Sequence, residues 1–230
     1  MHLTPARHRG VEYLDDRAVP ADLRRRSLRD VARSNTLLGG AHALLAELDR
    51  VLPPAGGRCT LLDVGTGLGD LPRRARRRAA RRGVDLVAIG CDVSPALLPG
   101  GNRYAAAGDA LALPFRSGAV DFVVCSQLLH HFEFPGARRV LGELHRVARR
   151  AVIVSDLRRS WIAAGGFWLA SWPLGFHPIT RHDGVTSVRR GFVAAELAAL
   201  VREATGAAPR IARHAGYRLT ARWTVAGSGA

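Results

Sequence analysis

The 230-residue sequence contains no lysine, so its whole Lys-plus-Arg complement of 34 is arginine, against 19 Asp and Glu. The formal net charge of +15 invites a nucleic-acid hypothesis. A surplus built from one residue type, however, reflects the codon usage of a GC-rich genome as readily as selection for phosphate contacts. The densest group, the arginines of residues 73–82, falls on one predicted helix and spreads over most of its circumference. Its plain reading is a solvated outer face, with RNA or an acidic partner as the alternative. Cysteine is scarce too. Cys59, Cys91 and Cys125 are far apart, lack CxxC spacing and sit in or beside apolar runs. That excludes a disulfide framework and a cysteine zinc site, and leaves buried free thiols. No apolar run reaches the ~20 residues of a bilayer span, because Gly and Pro interrupt the longest, at 161–176. Residues 1–30 are rich in charge and have no apolar leader segment, so a cytoplasmic protein is expected. No His/Asp cluster has ligand spacing, so no metal is expected, with His182-Asp183 the one pair to inspect.

What is present is the composition of a globular chain, 47% apolar and 23% charged. Residues 1–54 read as a helical N-terminal cap, with apolar stripes over 22–32 and 41–52, ended by Pro53-Pro54 and Gly56-Gly57. From residue 55 the pattern changes. Short apolar runs at 60–64, 85–91, 104–107, 121–126 and 151–155 alternate with amphipathic stretches at 71–82 and 138–149. Continuous apolar strands separated by helices predict a parallel sheet covered on both faces. A tryptophan-rich helical insert at about 157–191 follows, then a helix at 193–204 and a hairpin of strands at 210–214 and 217–225. The expected architecture is α/β, a doubly wound, mostly parallel Rossmann-like sheet with a C-terminal antiparallel hairpin, a helical cap and a helical insert.

The central motif is Leu61-Leu62-Asp63-Val64-Gly65-Thr66-Gly67-Leu68-Gly69-Asp70. An apolar strand runs into an acidic residue, then glycines at alternate positions, then a helix. Such a turn lets backbone come close to a ligand where side chains would obstruct it. The spacing is G-x-G-x-G, not the G-x-G-x-x-G of a pyrophosphate site. Asp63 would repel phosphate there but suit a cationic ligand. The second strand ends in Asp92, where an acidic residue can accept ribose hydroxyls. Gly108-Asp109-Ala110 follows the third strand, and Asp121 opens the fourth.

With these residues in place, the sequence over 61–155 resembles the class I S-adenosylmethionine-dependent methyltransferases, in the methyltransferase-domain group that includes ubiquinone- and menaquinone-biosynthesis enzymes. The resemblance implies S-adenosylmethionine as cofactor. By that likeness Gly65, Gly67 and Gly69 carry its methionine part with Asp63 beside them, Asp92 binds the ribose, Asp109 with Ala110 the adenine, Ser126 lines the sulfonium end, and Thr66 and Val93 also belong to the cofactor site. Residues 33–40 resemble, more loosely, the cap segment that folds over the cofactor in relatives.

The stretch after the fourth strand is Ser126-Gln127-Leu128-Leu129-His130-His131-Phe132, not the Asn/Asp-Pro-Pro-aromatic motif of base amine methylases, and Cys125 reads as an inert strand thiol. Nucleic-acid bases therefore lose ground as acceptors. A phenol, with a pKa near ~10, gains from a histidine base of ordinary pKa ~6.5. His131 and His130 are the catalytic candidates, with His177 and His182 as alternatives, although such a pair can merely shape a pocket. In the insert, Trp161, Trp168 and Trp172 fall on one helical stripe, which is either core packing or an apolar lid over the substrate. Peripheral docking on a membrane is a further use of such a stripe. Arg159, with Arg181 and Arg189, could hold an acceptor carboxylate, although Arg158-Arg159 reads most simply as a solvated turn. The favoured function is methyl transfer to the oxygen, or an activated carbon, of a small aromatic, quinone or polyketide-type metabolite, as in secondary metabolism. An RNA- or protein-directed methyltransferase and a catalytically silent cofactor-binding subunit are the alternatives. Oligomeric state is left open.

Overall fold

The computed structural model describes residues 4–8, 10–16, 18–94 and 104–225. Seven strands form one sheet in the order β3-β2-β1-β4-β5-β7-β6. They are β1 (Arg58–Val64), β2 (Asp85–Asp92), β3 (Ala105–Ala107), β4 (Val120–Ser126), β5 (Ala148–Leu157), β6 (Arg210–His214) and β7 (Arg218–Thr224). β1 to β5 pair in parallel, and β7 inserts antiparallel between β5 and β6. This is the doubly wound sheet with a terminal hairpin that the sequence predicts. The strand order turns back at β1/β4, and ligands in such sheets bind at the carboxyl ends beside that point.

Alternation along the central strands sends neighbouring residues to opposite faces. Leu62, Val123 and Val152 face α4 (Phe134–Val147) and α7 (Ala194–Thr205). Leu61, Phe122 and Ile153 face α2 (Gly40–Asp49) and α3 (Asp70–Ala80). With both faces covered, the strands read as unbroken apolar runs. Asp121, which opens β4, fixes strand register: its Oδ2 accepts from Thr60 N at 2.9 Å and Thr60 Oγ1 at 2.8 Å.

Two boundaries differ from the expectation. The cap reading for 1–54 covers two unlike helices: α2 buries Leu44 and Leu48 on the sheet itself, whereas α1 (Ala21–Leu37) sits over the carboxyl ends of the strands. The helix expected from 138 starts four residues earlier, because Pro135, which lacks an N–H, is tolerated in its first turn. The insert folds as α5 (Trp161–Ser171) and α6 (Pro178–Arg190), started by the Ser160 hydroxyl accepting from Ile162 N and by His177 Nδ1 accepting from Ile179 N. Gly184 has no Cβ where Phe167 crosses; one built there would lie 2.0 Å from Phe167 Cε1. That gap lets α5 press flat on α6. Among the described residues no helix is long and apolar enough to cross a membrane.

Candidate active site

The loop after β1 bends because three glycines take left-handed backbone, with φ of 74° at Gly65, 52° at Gly67 and 66° at Gly69. Gly65 N and Thr66 N donate to Cys91 O at 2.8 and 3.1 Å, which ties the loop to β2. A Cβ on Gly65 would meet Leu128 at 2.9 Å, whereas Gly67 has open space on its free side. Below the loop Asp63 is buried, and that burial pushes its carboxyl up to about 8. Asp92 ends β2 with one oxygen accepting from Gly67 N at 2.9 Å and the other from Ser94 N at 3.0 Å. A cavity of about 300 Å³ opens in front of this loop.

The wall opposite is built at the end of β4. Gln127 takes an uncommon positive φ of 52°, and Arg218 Nη1 donates to its side-chain oxygen at 2.8 Å. A 3₁₀ turn, Leu129–His131, then delivers both histidines. His130 Nδ1 lies 2.7 Å from Asp156 Oδ1, and the same carboxylate accepts from His130 N at 3.0 Å. His131 Nδ1 lies 2.9 Å from Asp15 Oδ1. Each imidazole is thus held through Nδ1, leaving both Nε2 atoms toward Glu12, at 3.7 Å from His130 and 3.9 Å from His131. His130 is sealed in, with 3% of its side chain exposed, while His131 keeps 28%.

Neighbouring charges shape this network. Glu12 is raised above the usual carboxylate range by burial, despite His131, the Ser187 hydroxyl at 2.7 Å and Arg190. Burial also pushes Asp15 and Asp156 upward, but Asp15 is overridden by His131 and Arg190, and Asp156 by His130, so both are held low. Arg190 locks the assembly: Nη1 binds Asp15 at 2.9 Å, Nε donates to His130 O at 3.2 Å and Nη2 to His131 O at 2.7 Å. The segment carrying Glu12 and Asp15 is itself pinned by Asp183, whose carboxylate accepts from Tyr13 N at 2.9 Å and Leu14 N at 3.0 Å.

Of the residues singled out in sequence, Asp63, Gly65, Thr66, Gly67, Asp92, Val93, Ser126, His130 and His131 all line this cavity. Gly69 stands behind it as the residue before α3. Asp109 and Ala110 lie outside it; Asp109 is exposed and accepts from Leu111 N within its own turn at 2.9 Å. Arg159 is a correction on two counts. It is buried, not in a solvated turn, and its guanidinium is used up by Glu196 at 2.7 Å, Gly191 O at 2.8 Å and Pro5 O at 2.9 Å, away from the cavity. His177 serves as the cap of α6 and does not line the cavity. Nor do Trp161, Trp168 and Trp172, which are exposed on the outer side of α5; Phe167 alone of the insert's large aromatics reaches the cavity wall.

Glu12, Asp15, Asp156, Ser187 and Arg190 escaped the sequence reading, since they converge from three distant segments. The same convergence corrects the expectation of no metal-type cluster: ligand atoms of Glu12, His130 and His131 lie within 4.8 Å of one another. A hint was legible in the acidic run Glu12 to Asp16, too polar for a buried segment unless partnered.

The sheet order, the glycine turn and the acidic strand ends together define the class I methyltransferase fold. Residues 61–151 match the methyltransferase-domain family. A comparison with curated proteins finds no match. Among solved structures the chain is similar to magnesium protoporphyrin IX methyltransferase from Synechocystis PCC 6803 with bound S-adenosylhomocysteine (18% identity, 91% of this chain and 89% of that one, TM-score 0.52). It is also similar to a SAM-dependent methyltransferase from Aquifex aeolicus (16%, 84% and 97%, 0.53) and to the CMeT domain of the citrinin polyketide synthase (12%, 80% and 51%, 0.54). Residues 61–151 are thus a methyltransferase domain, in a fold shared with S-adenosylmethionine-dependent methyltransferases, which supports S-adenosylmethionine as the cofactor. The cavity fits that group: Gly67 leaves its backbone open, and Ser126 Oγ and Asn35 Oδ1 are buried on its wall without hydrogen-bond partners among the described residues.

Proposed function

We propose that the enzyme methylates an oxygen, or an activated carbon, of a small aromatic, quinone or polyketide-type acceptor. S-adenosylmethionine supplies the electrophilic methyl group. On this reading Gly65 to Gly69 hold its methionine part, Asp92 and Val93 its ribose, and Ser126 the sulfonium end, with Asp63 as the nearby carboxyl. The acceptor side of the cavity is apolar where Leu28, Val31, Phe167 and Val188 contribute, which favours a hydrophobic ring over a nucleotide. The free, buried cysteines suit a reducing compartment and support a cytoplasmic setting.

The observation that carries the reading is the Asp-anchored histidine pair facing the cofactor loop across one cavity. His131 is the better exposed of the two. With Nδ1 hydrogen-bonded to Asp15, its Nε2 is the lone-pair atom that accepts an acceptor hydroxyl proton, and the Asp15 and Glu12 carboxylates stabilise the imidazolium that results. Burial of His130 gives it the supporting role of holding the turn against Asp156. The test is methyl transfer to a panel of phenols and hydroquinones. His131→Ala is expected to lower kcat/KM by about 10²- to 10⁴-fold while S-adenosylhomocysteine still binds. Full activity in that variant, or no transfer to any phenol by an enzyme that binds cofactor, would sink the reading.

Glu12 favours one second reading. A divalent cation held by Glu12 and the two Nε2 atoms would lower the pKa of a coordinated phenol and replace the base; imidazole-carboxylate donors suit zinc, manganese or iron. Cobalt(II) titration separates the two, because a visible ligand-field band lost in Glu12→Gln demands the metal, and a silent titration leaves His131 as base.

A further inference from the structure

From residue 157 to 182 the chain contains no Asp or Glu, and from 160 to 176 it contains no charge at all. This stretch does not hide its large apolar side chains. α5 buries Ala163, Ala164 and Ser171 and turns its bulk outward: Trp161, Ile162, Trp168, Leu169 and Trp172 are 48–64% exposed. A helix with small residues inside and indoles outside is inverted relative to an ordinary surface helix, and a contiguous apolar patch of that kind marks an interaction face.

The rim of the patch is cationic. Arg181 stacks on Trp172 with its guanidinium carbon 3.8 Å from the ring centroid, and Arg189 on Trp161 at 5.2 Å. Asp183, the sole carboxylate on α6, is buried and turned inward to bind Tyr13 N and Leu14 N. Indoles at the centre, guanidiniums around them and no outward carboxylate on α5 or α6 complement an anionic lipid surface, where indoles sit at headgroup depth and arginines meet phosphates. The other face of the same pair of helices walls the cavity, through Phe167 on α5 and Gly184, Ser187 and Val188 on α6.

We propose that α5, with the rim of α6, docks the enzyme on an anionic phospholipid bilayer and so places the cavity next to lipophilic acceptors dissolved in it. This rests on the reading of the acceptor as apolar. Docking is measured without acceptor, by cosedimentation with vesicles of phosphatidylglycerol and phosphatidylcholine. The tryptophan emission gives a second readout, since Trp223 is buried and the other three are on the patch. Expected are binding to anionic vesicles with a blue-shifted emission, at least tenfold weaker binding to pure phosphatidylcholine, and at least a tenfold loss in the Trp161→Ser/Trp168→Ser/Trp172→Ser variant. That variant keeps its turnover of a water-soluble phenol. No binding of wild type to anionic vesicles, or equal binding by the triple variant, overturns the proposal. So does a dimer that the triple variant abolishes while vesicles bind neither form, which makes the patch a contact between copies of this chain. Docking without turnover of any phenol would overturn the acceptor reading and leave the docking standing.

Discussion

Helices α3 and α5 bury the same kind of side chain and expose opposite kinds. α3 turns Ala75 and Ala79 inward against the sheet and presents Arg73 and Arg77 to solvent. α5 turns Ala163 and Ala164 inward and presents tryptophans. The inward faces are near equivalents, so packing alone does not explain the outward ones. On α3 the arginines behave as a solvated face with local ion pairs, Arg78 to Asp49 at 2.8 Å and Arg74 to Asp70 at 3.5 Å. On α5 the helix itself carries no charge, and the indole rings stay half exposed beside Arg181 and Arg189 of α6, so that face costs solubility and calls for a partner. The charge that dominates the composition therefore says little about function, and the small uncharged stretch says more.

Four measurements sharpen this contrast. The largest effect belongs to the core of the sheet, the reference against which both helices are set. Leu62→Ala, at a fully buried position in β1, is expected to cost about 2–5 kcal/mol in denaturant melts. The comparable truncation Trp168→Ala should stay within about 0.5 kcal/mol in lipid-free buffer, because its ring is half exposed. A stability loss there equal to that of Leu62→Ala would mean that the tryptophan is core after all.

Next comes the glycine on which the α5–α6 contact depends. Gly184→Ala places a methyl group onto Phe167, and overpacking of this sort costs about 1–3 kcal/mol. At roughly 2–4 °C per kcal/mol for a chain of this size, thermal melts will show it. Since Phe167 also walls the cavity, the acceptor KM should rise while S-adenosylhomocysteine affinity holds.

A third test concerns Asp63, below the loop that leads into α3. Its native carboxyl sits near 8, above the ~3.9 of an unfolded chain. The folded state therefore keeps the proton longer, and this group's contribution to stability declines as pH rises from about 4 to about 8. Asp63→Asn should remove that slope, so apo-protein melts gain several degrees at pH 8–9 and little at pH 5. Cofactor affinity should fall in the same variant; if both stability and affinity are unchanged, Asp63 has no electrostatic role. The smallest effect is expected for Arg73→Gln with Arg77→Gln, within about 0.5 kcal/mol and without loss of vesicle binding. Loss of binding there would move the membrane face from α5 to the arginine helix.

The same two regions show how far the sequence can be read. Every central strand was legible, because double burial leaves a continuous apolar signature such as that of β4, and the glycine turn was legible because three left-handed positions demand glycine. The insert was legible as helical but not in orientation. Trp161, Trp168 and Trp172 lie on one stripe whichever way the helix is rolled, and periodicity carries no sign. Small residues decided the roll: Gly184 receives Phe167, so the tryptophans are left outside.

The sequence by itself determined the doubly wound sheet, the glycine loop from Asp63 to Gly69 and the acidic end of β2, since each follows from local backbone geometry or from burial on both faces. Only the tertiary structure decided what surrounds the histidines. Glu12 and Asp15 lie more than a hundred residues before His130 and His131, and Arg190 lies about sixty after them. No periodicity links such segments; buried charges found partners there because leaving them unpaired would cost more than any local preference could supply.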